Sequence, residues 1–227
     1  MNKKAVVLLS GGLDSATCLA MATAQGFQCY ALSFIYDQKN IAELTCAKYL
    51  ARQFNVIEHK ILTLPLGEIR GSSLTDVNLA VPDHDHHAKT DIPNTYVPAR
   101  NTIFLSFALA WGEILTAYDI FIGANFVDYA GYPDCRPEYF QAFTHLAKQA
   151  TKAGAMGETF TIQTPLLYLH KAEIIREGLR LGVDYSQTVS CYRATPQGEA
   201  CGNCDSCAYR KKGFGEAGVA DPTRYRL

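Results

Sequence analysis

The stretch KKAVVLLSGGLDSATCLAMA, residues 3–22, decides the fold class. An apolar run at 5–9 stops at Ser10, Gly11 and Gly12, and after Asp14 apolar residues return at helical spacing as far as residue 24. A short apolar run, a glycine turn and then a 3.6-residue period read as a buried strand feeding a helix. The pattern repeats: 28–36 reads as a strand, 40–54 as a helix offering Ile41, Leu44, Ala47, Tyr49 and Leu50 for packing, and 56–62 as a third strand. This βαβαβ order predicts a parallel sheet with right-handed crossovers. Periodicity fails over 65–98, where Gly, Pro, Asp and His accumulate; a stretch that long predicts a lid or insertion loop. Helices at 99–117, 137–151 and 170–181 then alternate with strands at 119–123 and 159–163. The expectation is an α/β fold with a doubly wound, mostly parallel five-stranded sheet.

In such sheets ligands sit beyond the carboxyl ends of the strands, where the strand order reverses. The first strand–helix turn belongs there. Two glycines let backbone N–H groups approach an anion, and the helix start adds unpaired donors and a positive dipole end. Ser10 and Ser15 add hydroxyls, and Asp14 is placed to cap the helix or face a metal. No Gly-Lys-Ser/Thr follows, and the turn is not GxGxxG, so neither the common P-loop nor the dinucleotide fingerprint is present. A plain strand–helix turn with an Asp cap is the bland alternative.

With 21 basic and 22 acidic residues the formal charge is −1, which gives no general attraction to nucleic acid. No apolar run of membrane-spanning length exists, and the lysines at 3 and 4 lead into too short a run for a signal peptide, so a cytoplasmic protein is expected. Of the eight cysteines, Cys18, Cys29, Cys46 and Cys135 stand among apolar neighbours as small hydrophobes. The other four, Cys191, Cys201, Cys204 and Cys207, crowd into SCYRATPQGEACGNCDSC (190–207). Four thiols at two short spacings suit a tetrahedral structural zinc, with an iron–sulfur cluster or two disulfides as alternatives. Residues 1–190 thus read as the α/β domain and 191–227 as a small C-terminal zinc-binding segment.

Three further stretches offer polar groups to the same end of the sheet. YVPARN (96–101) places Arg100 and Asn101 at a helix start, and Lys171 opens the helix after TPLLYLH; a solvated cation is the alternative for both. GANFVDYAGYPDCRPEYF (123–140) mixes Asp128, Asp134, Arg136 and Glu138 with Tyr129, Tyr132 and Tyr139, which suits a heterocycle pocket as well as a polar loop. His84, His86 and His87, in PDHDHHAKTD (82–91), read as a solvated lid rather than a metal site.

The SGGLDS string resembles the signature of the PP-loop ATP pyrophosphatases. LSGGLDS, YVPARN, GANFVDYAGYPDCRPE, PLL with HKAEII, and TVSCY with CGNCDSCAYRKKGF together resemble that group's queuosine-pathway family, the 7-cyano-7-deazaguanine synthases, over most of the chain. The resemblance implies an adenine nucleotide alpha-hydrolase-like sheet ordered 3-2-1-4-5. It implies an ATP site at Leu8, Leu9, Ser10, Gly11, Gly12, Leu13, Asp14, Ser15, Ala16, Thr17 and Cys18, and a structural Zn²⁺ on the four clustered cysteines. It further implies a ligase that converts 7-carboxy-7-deazaguanine and ammonia to the nitrile through an adenylate and an amide, using ATP with Mg²⁺. On this reading Lys171, Arg100 and Asp14 are catalytic, while Asp128, Tyr132, Asp134 and Arg136 bind substrate. Another PP-loop activity, amidotransferase or tRNA-modifying, is the competing expectation. With the loop at residue 10 no glutaminase domain is expected before it, so ammonia comes free or from another protein. A homodimer is expected, with no direct contact to nucleic acid or membrane.

Overall fold

Side-chain alternation along the first strand sets the two faces of the sheet. In the computed structural model, which describes residues 3–85, 92–128 and 131–226, β1 is Lys4–Leu8. β2 (Gln28–Ile35), β3 (Glu58–Thr63), β4 (Asp119–Phe121) and β5 (Thr161–Gln163) complete a sheet ordered β3-β2-β1-β4-β5, and every pairing is parallel. Val6 of β1 lies opposite Tyr30 of β2 on one side and Ile120 of β4 on the other. The order expected from the resemblance is the order found.

Ala5 and Val7, with Leu9 just beyond the strand, face helices α1 (Leu13–Ala24), α2 (Ala42–Gln53) and α6 (Lys171–Arg180), whose Leu19, Leu50 and Ile174 are buried against them. Val6 and Leu8 point the other way, toward Leu105 and Leu109 of α3 (Arg100–Leu115) and Phe140 and Phe143 of α4 (Pro137–Ala150). Parallel strands covered on both faces carry continuous apolar runs, which is why β1 shows no polar alternation. The last two strands are shorter than expected: β4 stops at Phe121, and β5 begins only at Thr161.

A short helix, α5 (Lys152–Ala155), follows α4, and α7 (Asp205–Ala217) grows directly out of the cysteine cluster. Sequence reading missed α7 because its first turn is dominated by ligand-type residues. It lies tight on α6: a Cβ on Gly213 would come within 2.4 Å of Lys171 Cγ. Arg210, 3% exposed, ties α7 down through Thr188 Oγ1 (2.8 Å), the Tyr185 carbonyl (3.0 Å) and Asp221 (3.1 Å).

The stretch from 65 to 98 is anchored where it is described. Leu74, Val81 and Val97 are buried in the core beside α3, and the Ser73 N–H donates to the Asn94 carbonyl at 2.8 Å. His84 is not solvated but paired, its Nδ1 lying 2.7 Å from Asp205 at the start of α7. His86, His87 and Tyr129 lie outside the described residues.

Candidate active site

The chain runs from β1 through β2 to β3, then returns to the far side of β1 as β4, so the order reverses between β1 and β4. The carboxyl end of β1 opens there into the Ser10–Gly12 turn. Its donors converge on hydroxyl oxygens. Ser15 Oγ accepts the N–H groups of Ser10 and Gly11, each at 3.2 Å, and Ser10 Oγ accepts that of Gly12 at 3.3 Å. Ser190 Oγ, 177 positions away in sequence, accepts the Leu13 N–H at 3.1 Å. Backbone donors gathered at a helix start in this way are suited to binding an anion.

The two glycines serve different ends. Gly11 has φ +95°, and a Cβ there would lie 2.1 Å from the Glu43 carbonyl oxygen, so the close approach of α2 requires it. Gly12 is extended, and its Cβ would meet only Ser10 Oγ at 3.5 Å and Ser190 Oγ and the Val189 carbonyl at 3.6 Å. Its bare backbone keeps the floor of the cleft clear. Leu8, Leu9, Ser10, Gly12, Leu13, Asp14 and Ser15 line that cleft. Gly11, Ala16, Thr17 and Cys18 face the helical side; Thr17 instead holds the Tyr185 hydroxyl at 2.7 Å, and burial pushes the Cys18 thiol far up.

Lys171, 6% exposed, sits between two carboxylates at the mouth of the turn. Its Nζ lies 2.7 Å from Asp14 Oδ1 and 3.0 Å from Asp128 Oδ2. Burial alone would favour the neutral amine, but the two carboxylates outweigh it and raise the Lys171 pKa. Arg100 enters from the start of α3, after Ala99 in the left-handed region at φ +54°. Such strain in a non-glycine residue costs of order 1–3 kcal/mol and persists where its surroundings impose it. Asp134 helps impose it, accepting the Asn101 N–H at 3.0 Å while its own carbonyl accepts from Asn101 Nδ2 at 2.9 Å. Burial raises the Asp134 pKa against these bonds.

The structure therefore sorts the sequence candidates. Asp14, Lys171 and Asp128 form one ion-paired group, and Arg100 and Tyr132 line the cleft wall. Asp134 holds the start of α3 through Asn101. Arg136 is exposed and outside the cleft lining. Tyr36, Glu43, Ser190 and Tyr192 line the cleft, and none was singled out from sequence. Glu43 did carry a signal: it shares a helical stripe with buried Ala47 and Leu50, at i, i+4 and i+7. Its carboxyl is pushed up to about 8 by burial, with Arg100 and Asn40 opposing the rise.

The Sγ atoms of Cys191, Cys201, Cys204 and Cys207 all lie within 4.8 Å of one another. Cys201–Cys207 and Cys191–Cys204 are each 4.0 Å apart. Tetrahedral metal–sulfur bonds of about 2.3 Å place sulfurs about 3.8 Å apart, so the set fits one ion, and no disulfide is formed. The N–H groups of Arg193 and Cys201 approach Cys191 Sγ at 3.3 and 3.2 Å, which favours the thiolate form a metal needs.

The family model described as "Queuosine biosynthesis protein QueC" matches residues 4–218. The chain belongs to the QueC family. Relatives named 7-cyano-7-deazaguanine synthase include one from Nitrosococcus oceani, 61% identical over 98% of both chains. Another, from Methylococcus capsulatus, is 60% identical over 99% of both. Among solved structures, NMN synthetase from Francisella tularensis aligns at TM-score 0.52 and 17% identity, covering 96% of this chain and 78% of that one. A predicted subunit of tRNA methyltransferase from Methanocaldococcus jannaschii aligns at TM-score 0.50 and 14% identity, covering 99% and 92%. These two likenesses concern the fold alone. In this QueC-family chain the matched span takes in the glycine turn, the cleft walls and the four cysteines.

Proposed function

We propose that the chain is an ATP-dependent ligase that turns 7-carboxy-7-deazaguanine and ammonia into 7-cyano-7-deazaguanine, for queuosine biosynthesis. The observation that carries the reading is the continuity of the cleft, which runs from the donors of the SGGLDS turn to the Arg100 guanidinium on the opposite wall. A nucleotide and a carboxylate substrate can meet there.

A carboxylate does not react with ammonia until its oxygen becomes a leaving group. Adenylation achieves this and releases pyrophosphate. The turn's N–H groups and Lys171 stand where charge develops on the phosphates, and fixed donors in a shielded cleft stabilise such charge strongly. Arg100 is assigned to the substrate carboxylate, and Tyr132 to the heterocycle. Asp14 and Asp128 are assigned to Mg²⁺, which supplies charge neutralisation on the triphosphate when bound. A second activation, at the amide oxygen, allows dehydration to the nitrile.

The four cysteines are assigned to one structural zinc, whose closed shell pins 191–227 onto the 1–190 domain. The enzyme is placed in the cytoplasm as a homodimer without direct nucleic-acid contact. Among the described residues no helix is long and apolar enough to cross a membrane. Exposed Phe107 and Ile114 on the outer side of α3 support self-association.

The test is incubation with the acid, ammonium and Mg-ATP, with products followed by mass spectrometry. Nitrile, AMP and pyrophosphate are expected. ATP turnover to ADP, or no nitrile from folded metal-loaded protein, overturns the reading.

A further inference from the structure

Four charged side chains line the cleft among the described residues: Asp14, Lys39, Glu43 and Arg100. Asp14 is paired with Lys171, and Lys39 Nζ donates to the Leu79 carbonyl at 2.5 Å. Neutral lining groups are committed too: Gln38 bonds the backbone at Phe34 and Tyr36, Asn40 at Ala42 and Cys191, and Asn125 at Leu166 and Leu169. Glu43 and Arg100 thus carry the charge that this wall offers to a substrate. They interact electrostatically, yet among the described residues no ion pair within 4.0 Å joins them. Both line the same cleft, with their charged atoms more than 4.0 Å apart.

We propose that Glu43 is the catalytic base that accepts a proton from ammonium when the activated carboxylate is converted to the amide. The proposal rests on the reading of the reaction given above. Ammonium transfers one proton to the Glu43 carboxylate. The freed lone pair forms the C–N bond at the acyl carbon, the C–O bond to the adenylate breaks, and AMP leaves with that electron pair. The added nitrogen sheds its second proton to water. Carbon, nitrogen and charge balance without an oxidant or reductant.

Position and environment both suit this role. The Glu43 backbone packs on Gly11, so α2 is fixed against the nucleotide turn, and the side chain looks across to Arg100 on α3. Tyr36 beyond β2 and Cys46 one turn along α2 also face the group, and both are held neutral by burial; among the described residues Arg100 is the formal charge that opposes the rise of its pKa, together with a hydrogen bond from Asn40. A carboxyl pushed up to about 8 by burial lies much nearer the ammonium pKa than an ordinary glutamate does, so its ionised form, which grows as pH rises toward 8, takes a proton from an ammonium at far less cost. Arg100 beside it keeps the carboxylate form accessible while holding the acyl group.

The test uses full-length metal-loaded protein, wild type, Glu43→Gln and Glu43→Asp. Adenylation alone is read as ATP–pyrophosphate exchange dependent on 7-carboxy-7-deazaguanine, with no ammonia present. Amide formation is read at saturating acid and ATP across pH 6.5–9.5. Glu43→Gln is expected to keep exchange within about threefold and to lose about 100-fold or more in amidation at pH 7.5, the usual worth of a general base. The loss should shrink as pH rises and free ammonia becomes abundant, and Glu43→Asp should fall between. Wild-type amidation in Glu43→Gln, or exchange and amidation falling together with an unchanged pH profile, overturns the proposal alone. Absence of exchange in the wild type overturns the reading of the reaction itself.

Discussion

Removing the Lys171 ammonium should both destabilise the fold and disable the nucleotide site, and the two effects can be separated. At an effective dielectric of about 20, the contact to Asp14 at 2.7 Å is worth ~6 kcal/mol and that to Asp128 at 3.0 Å ~5.5 kcal/mol in Coulomb attraction. Desolvating an ammonium that is 6% exposed cancels much of this. Taking away one partner of such a buried group leaves two adjacent carboxylates uncompensated, which costs ~3–5 kcal/mol. Lys171→Met preserves the alkyl stem that packs on Gly213, so little cavity is added. For 227 residues the unfolding entropy is ~0.48 kcal/mol/K, and Tm should fall by ~6–10 °C in calorimetry at pH 7. Asp128→Asn in the Lys171→Met background should recover about half of that loss by relieving carboxylate repulsion. ATP–pyrophosphate exchange should stay at least ~100-fold down in both variants, because the phosphates still lack their cation. A Tm drop below ~2 °C, or no recovery in the double variant, would refute the account of Lys171 as the counter-ion of both carboxylates.

The glycines of the turn should separate in the same assays. Gly11→Ala is expected to cost at least ~3 kcal/mol, from the positive φ and the 2.1 Å approach to the Glu43 carbonyl. Gly12→Ala should stay within ~1 kcal/mol of wild-type stability while raising KM for ATP at least ~10-fold, checked by urea unfolding and initial rates. Cys204→Ser should release the bound metal, read by elemental analysis, and should lower Tm together with the protease resistance of the C-terminal segment. Asp221→Asn leaves the buried Arg210 cation without its carboxylate and should cost ~3 kcal/mol at pH 7. Burial alone would raise the Asp221 pKa, but Arg210, with hydrogen bonds from Tyr225 and Thr223, brings it below the unfolded value. The stabilisation is therefore present above the unfolded pKa, about 3.9, and is lost as pH falls through the folded one. The gap between wild type and Asp221→Asn should narrow below about pH 4 in acid titrations.

Much of this was legible in the sequence because the deciding signals are local. Five apolar runs, two of them ending in glycine-bearing turns, gave the strands in order, and SGGLDS located the reversal point between β1 and β4. The cysteine spacing foretold a cluster that closes within 4.8 Å. What escaped reading depends on distance in sequence. Ser190 reaches back 177 positions to the turn, and Asp134 reaches 33 positions to the start of α3, so no window of sequence displays either contact. An acidic residue among tyrosines suggests a heterocycle pocket from sequence, and only the structure shows that the Asp134 carboxylate also accepts the Asn101 N–H at the strained turn around Ala99. Arg136, one position past Cys135, is exposed to solvent as the residue before α4, a placement set by the local turn and not by residue type. Glu43 was overlooked because a single acid in a helix draws no notice until its neighbours on the same stripe prove buried.

Isotope tracing tests the central claim, activation of the substrate oxygen by adenylation, most directly. The acid is prepared with ¹⁸O in both carboxylate oxygens and turned over to nitrile with Mg-ATP and ammonium. Adenylation followed by amidation and dehydration predicts that both labelled oxygens end in the phosphate of AMP, one from each activation, with unlabelled pyrophosphate. Label in inorganic phosphate with ADP, or label released to water with unlabelled AMP, would contradict it.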